Sequence, residues 1–116
     1  MTDRVFRYQF KDSHGDAVEA IVAEPGSVYV RTYDGQYATF FDAPGTCLRR
    51  FLAKSDLSYM THRFLSRAGN RQGTSQKLAR AVRWDVALFW ERLVGVLKED
   101  LAQDAARAAR ENADAP

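Results

Sequence analysis

The stretch from Ala79 to Leu101, ARAVRWDVALFWERLVGVLKEDL, constrains the fold more than any other part of the chain. Val82, Val86, Phe89, Leu93 and Val96 recur at steps of three and four, the spacing that stacks side chains on one face of a helix. A second stripe, Val86, Trp90, Leu93, Leu97 and Leu101, runs beside it and widens the apolar surface beyond the roughly 100° usual for a surface helix. Such a helix needs packing partners on more than one side. The spacing predicts one long helix from about residue 75 to 108, capped by Thr74 or Ser75. Gly95 lies inside it, where a glycine allows close packing or a bend at a cost of up to about 1 kcal/mol relative to alanine.

The first 42 residues carry strand signals. Phe6, Tyr8 and Phe10 alternate with Arg7, Gln9 and Lys11, and after His14-Gly15 an extended pattern resumes in DAVEAIVAE. Pro25-Gly26 breaks the chain again before SVYVRTY. Asp34-Gly35 is the strongest hairpin signal, predicting a type I′ turn with positive φ at both central residues, and QYATFF follows. The four runs predict an antiparallel meander over about 4–12, 16–24, 27–33 and 36–41. The acids of this half, Asp12, Asp16, Glu19, Glu24, Asp34 and Asp42, are expected at turns or on the wet face of the sheet.

Asp42 to Thr46 closes the sheet, with Pro44 acceptable in a first helical turn because its missing N–H would be unpaired there. Cys47, Leu48, Phe51 and Leu52 predict a short helix ending near Ala53. Ser55 is the expected cap of a second helix, lined by Leu57, Met60 and Phe64 and ended by Gly69. Residues 69–73 read as a loop, and 109–116, rich in alanine and charge, as a disordered tail. The fold class is therefore α+β: a four-stranded antiparallel β-meander over about 4–41 followed by three helices over about 44–108, the last one long. Residues 1–108 form one domain on this reading.

Apolar residues make up 46% of the chain and charged residues 28%, a globular composition. No apolar run approaches the roughly 18 residues of a membrane span, and no long apolar stretch follows the N-terminus, so a cytoplasmic protein without membrane contact is expected. The lone cysteine, Cys47, excludes an intrachain disulfide. It shares an apolar stripe with Phe51 and is expected to be buried and inert.

No motif fixes a reaction. His14 and His62 have no Cys or His at metal-ligand spacing, and no glycine-rich phosphate loop or nucleophile elbow is present. A non-enzymatic protein without metal or cofactor is expected.

Charge is unevenly distributed. Residues 49–83 hold nine basic residues against Asp56 alone, whereas the segments on either side hold seven acids and four bases each. The expected binding surface comprises Arg49, Arg50, Arg63, Arg67, Arg71, Lys77, Arg80 and Arg83, with Asn70 and Gln72 as neutral donors from the loop. Arg forks and loop amides together suit a polyanion. The bland alternative is a solvated face paired with the chain's own carboxylates, which abound in the flanks.

The layout of a four-stranded meander followed by a helix resembles that of several single-strand binders, whose sheets carry exposed aromatics among basic groups. Tyr29, Tyr33 and Tyr37 lie beside Arg31, but the strands are on balance acidic and these tyrosines are expected in the core. A helix-turn-helix reading of residues 56–83 is weakened by a loop longer than the usual three or four residues. Trp84, Leu88 and Trp90 fall on different sides of the long helix and are expected to form a protein interface, most simply in a homodimer. Two functions follow as expectations. One is a binder of nucleic acid or nucleoprotein through the basic helix-loop-helix surface, with an acidic protein as another partner for the same charge. The other is a small inhibitor or adaptor of the phage-encoded, anti-CRISPR type that docks on a macromolecular machine.

Overall fold

A computed structural model describes residues 4–24, 26–42, 46–68 and 76–114. The sheet comprises β1 (Arg4–Lys11), β2 (Ala17–Glu24), β3 (Ser27–Arg31) and β4 (Gln36–Phe40), paired in sequence order and antiparallel throughout. Three helices follow, α1 (Leu48–Ala53), α2 (Leu57–Ala68) and α3 (Gln76–Asp114). The architecture is the expected α+β layout. Among the described residues, no helix is long and apolar enough to cross a membrane.

The period of two in the strands becomes a two-faced sheet. Tyr8, Ala20, Val30 and Tyr37 form one transverse row of the inner face, and Phe6, Val22, Val28 and Thr39 form the next. The valines and Ala20 in these rows are fully buried, because α3 lies over them with Val82, Val86, Phe89, Leu93 and Leu97. Both predicted stripes of the long helix are used. The sheet takes one side, while α1 and α2 pack along the rest. Trp90, 2% exposed, donates its indole Nε1–H to the Ser55 carbonyl at 3.1 Å, which ties α3 to the junction between α1 and α2. Burying an indole of this size contributes a few kcal/mol, but only with its N–H paired.

Several local expectations are corrected. Asp34 and Gly35 do not adopt positive φ, so the β3–β4 connection is not a type I′ turn. Thr32 replaces it: its backbone N–H bonds to the Gly35 carbonyl, and its Oγ1 accepts the Asp34 and Gly35 amides at 3.2 and 3.0 Å. This side-chain-closed turn satisfies the same amides without left-handed backbone. The left-handed residue is Gly15 in the first hairpin, at φ +84°. Asp12 is at a turn, as expected, and is buried there because its Oδ1 accepts the amides of His14 and Asp16 and so closes that hairpin. Asp56, not Ser55, caps α2 by accepting the Tyr59 amide at 2.7 Å. Cys47 is half-buried and stands at the N-terminal boundary of α1.

α3 runs six residues past the expected end, to Asp114, where a disordered tail from residue 109 was the reading of the sequence. Residues 109–114 contain no glycine or proline, and Ala109, Arg110, Glu111 and Ala113 among them favour helix. With 39 residues, the helix is about 58 Å long at 1.5 Å per residue and accounts for the 60 Å longest dimension of the molecule. The expected caps at Gly69, Thr74 and Ser75 lie outside the described residues.

Candidate nucleic-acid interface

The basic block of the sequence does not fold into one surface. Arg49 faces inward at 4% exposure, and its Nη1 donates to Asp100 Oδ2 and Asp104 Oδ2, both at 2.9 Å. Its guanidinium also lies 3.8 Å from the centre of the Phe6 ring. Burial opposes its charge, but the hydrogen bonds to Asp104 and Asp100 outweigh that and hold the group above its ordinary range. Asp100 is shared with Tyr8, whose hydroxyl donates to Oδ2 at 2.6 Å. Burial and that bond raise the phenol above its usual value. Arg49 is therefore a clamp joining α1, α3 and β1, and it cannot meet an outside partner. Two features of the sequence carry this arrangement: Arg49 stands three residues from Leu52 on the apolar side of α1, and Asp100 and Asp104 are one helical turn apart.

Arg50 is exposed, but its neighbour Arg49 is anchored at Asp100, seventeen positions along α3 from Arg83. At 1.5 Å per residue that places the Arg50 end of the molecule about 25 Å from Arg83. Arg63 is half-buried. Its Nη2 donates to the Phe40 carbonyl, and its guanidinium sits 4.5 Å from the Phe41 ring centre, so it serves the junction of α2 with β4. The Arg67 side chain and residues Asn70, Arg71 and Gln72 lie outside what is described.

Lys77, Arg80 and Arg83 remain, all exposed on the first two turns of α3. Among the described residues, none of the three makes an ion pair, and no acid stands three or four positions from any of them. They are spaced by threes, an arrangement in which like charges repel by a few tenths of a kcal/mol per pair. They also crowd the positive end of the helix dipole, with no acidic residue in its first turn. Both effects disfavour the folded chain in isolation, and both reverse sign when an anion binds. Arg83 further lines a shallow groove against α2, of about 580 Å³, with Asp56, Ser58, Thr61 and His62 as hydrogen-bonding groups.

Several carboxylates of the chain are engaged elsewhere. Asp85 is turned into the core, 2% exposed, where its Oδ2 accepts the Thr32 hydroxyl at 2.6 Å and the Tyr37 hydroxyl at 2.7 Å. Burial, then the bond to Asp85, raises the Tyr37 phenol above its ordinary range. Asp100 and Asp104 hold Arg49, and Glu19 holds Arg7 and Arg31 on the sheet.

The expected protein interface is also redistributed. Trp90 is buried and leaves the set. Leu88 is half-buried, and its carbonyl accepts both the amide and the hydroxyl of Ser13 at 3.1 Å, so the first hairpin docks there. Trp84 remains 62% exposed, with the His14 ring 5.8 Å away and edge-on. Two tyrosines expected in the core are outside it, Tyr29 at 51% and Tyr33 at 83% exposure, and only Tyr37 faces inward. Alternation along a strand shows which residues share a face, but not which face the helices cover.

Comparison with family models, with curated proteins and with solved structures finds no match to this chain.

Proposed function

We propose that this protein is a small non-enzymatic binding protein for nucleic acid or a nucleoprotein complex, with the N-terminal turns of α3 as its contact. One observation carries the reading: Lys77, Arg80 and Arg83 are exposed and neighbouring on the N-terminal turns of α3, and among the described residues none of them makes an ion pair. Phosphates placed there would offset the repulsion and accept the guanidinium forks. The sequence places Arg67, Asn70, Arg71 and Gln72 shortly before this helix, as further donors to the same partner.

Reversing the charge of Arg80 and Arg83 together, R80E/R83E, tests the reading by fluorescence anisotropy with labelled single- and double-stranded oligonucleotides. We expect affinity to fall by more than tenfold while the melting temperature stays within a few degrees. Unchanged affinity would remove α3 as the contact.

The exposed Trp84 beside these cations favours a second reading, an inhibitor or adaptor that docks on a protein, or a homodimer through α3. Light scattering separates the homodimer: a dimer that becomes a monomer on Trp84→Ala supports it, and a monomer in both removes it.

A further inference from the structure

Among the described residues, the helices cover one face of the sheet. On the other, Val5, Tyr29 and Phe40 are 65%, 51% and 46% exposed; the small residues Ala23 and Ser27 stand between Val5 and Phe40, and Ile21 and Ala38 flank Tyr29. The result is a shallow trough with aromatic walls, visible as hollows around Tyr29 and Ala38 that continue to Phe40 on one side and to Arg31 and Tyr33 on the other. Tyr29 pairs with Ala38 in the register, so Phe40 is its diagonal neighbour, about 7–8 Å away and within reach of one bound strand.

The charge on this face selects the occupant. Arg7, Lys11 and Arg31 project from it; Glu19 pairs with Arg7 and Arg31 at 2.9 and 3.6 Å, and Asp16 lines the hollow at the Tyr33 end. Both arginine side chains are still more than 60% exposed, so Glu19 aligns them without hiding them. Cations outnumber acids on this face, so a second copy of the chain laid on it would set like charge against like, which argues against self-pairing. Flat aromatic surfaces flanked by aligned guanidinium groups suit unpaired bases joined by phosphates, because every base has a stacking face and a duplex does not present one.

We infer that the open face of the sheet is a single-strand platform, on which Tyr29 and Phe40 stack bases while Arg31, Arg7 and Lys11 follow the phosphates. The inference rests on the proposed nucleic-acid function but assigns it a second surface with a different preference. Single strands use the sheet, whereas either form of nucleic acid meets the α3 cations.

Anisotropy titrations of oligodeoxythymidylate and of a blunt duplex test it in the full chain. Tyr29→Ala with Phe40→Ala is expected to weaken single-strand binding by roughly tenfold or more and to leave duplex binding unchanged. Tyr29→Phe should keep the wild-type affinity, since it retains the ring. Thermal melting of each variant separates loss of binding from loss of fold, and both substituted positions are exposed. Equal single-strand affinity in the folded double variant overturns the platform. Competition by polyglutamate as effective as by oligonucleotide also overturns it, since charge alone would then explain the binding. A platform that fails while R80E/R83E still abolishes binding leaves the proposed function standing. No binding of either nucleic acid by the wild type removes both.

Discussion

Asp85 stands three residues from Val82 and four from Phe89, on the core side of α3, and the fold accommodates it by supplying two hydroxyl donors from the sheet. Thr32 thereby has two roles, closing the β3–β4 turn and fixing that turn to the helix. Asp85→Ala would leave the Tyr37 hydroxyl without its acceptor and the Thr32 hydroxyl with only the longer bond to the Gly35 carbonyl at 3.3 Å, and we expect a loss of about 1–3 kcal/mol in urea denaturation. A loss below about 0.5 kcal/mol would show that the pair is not structural. Asp104 adds a pH dependence. The hydrogen bond from Arg49 holds its carboxyl below the usual carboxylate range. A depressed folded-state value means that this contribution is present above about pH 4, the unfolded value, and is lost as the pH falls through the folded one. Asp104→Asn should therefore flatten the fall in melting temperature between about pH 5 and pH 2. An unaltered acid limb would contradict the Arg49 clamp.

At the scale of elements, α3 organises the molecule, and its glycine is the clearest opportunity for change. Of the two readings of this glycine, close packing or a bend, the first is absent: a Cβ at Gly95 would meet nothing within 4 Å, and the position is open. Gly95→Ala is predicted to stabilise the protein by up to about 1 kcal/mol, measured as a higher urea midpoint at unchanged slope. A loss of stability would show that the helix needs freedom there. Gly26 is the opposite case, since a Cβ there would stand 2.3 Å from the Phe41 carbonyl oxygen. Most of this level was legible in the sequence: four strands, three helices and both stripes of α3 follow from periodicity, because burial on one face imposes it directly. The turn at Asp34-Gly35 was misread because a hydroxyl two residues earlier competes for the same amides. The extension of α3 to Asp114 was missed because the lack of large apolar residues was taken as a stop, whereas a run without glycine or proline continues a helix already formed.

For the whole molecule, a basic block that is contiguous in sequence divides among four places. Arg49 becomes a buried clamp, Arg50 is exposed beside it, Arg63 joins α2 to β4, and Lys77, Arg80 and Arg83 stay outside with no ion pair among the described residues. Charge counting locates the block but not the division, which depends on carboxylates brought in from about fifty residues away. The sheet platform was out of reach of periodicity for a related reason: which face the helices choose is a tertiary outcome. The central claim is that the cations left over meet phosphates. It is tested most directly by the salt dependence of duplex binding, with the logarithm of the association constant plotted against that of the salt concentration. Engagement of Lys77, Arg80 and Arg83 predicts a slope of about −2.7 or steeper, from roughly −0.9 per phosphate neutralised. Saturable binding with a slope near zero, or no binding at low salt, would contradict it.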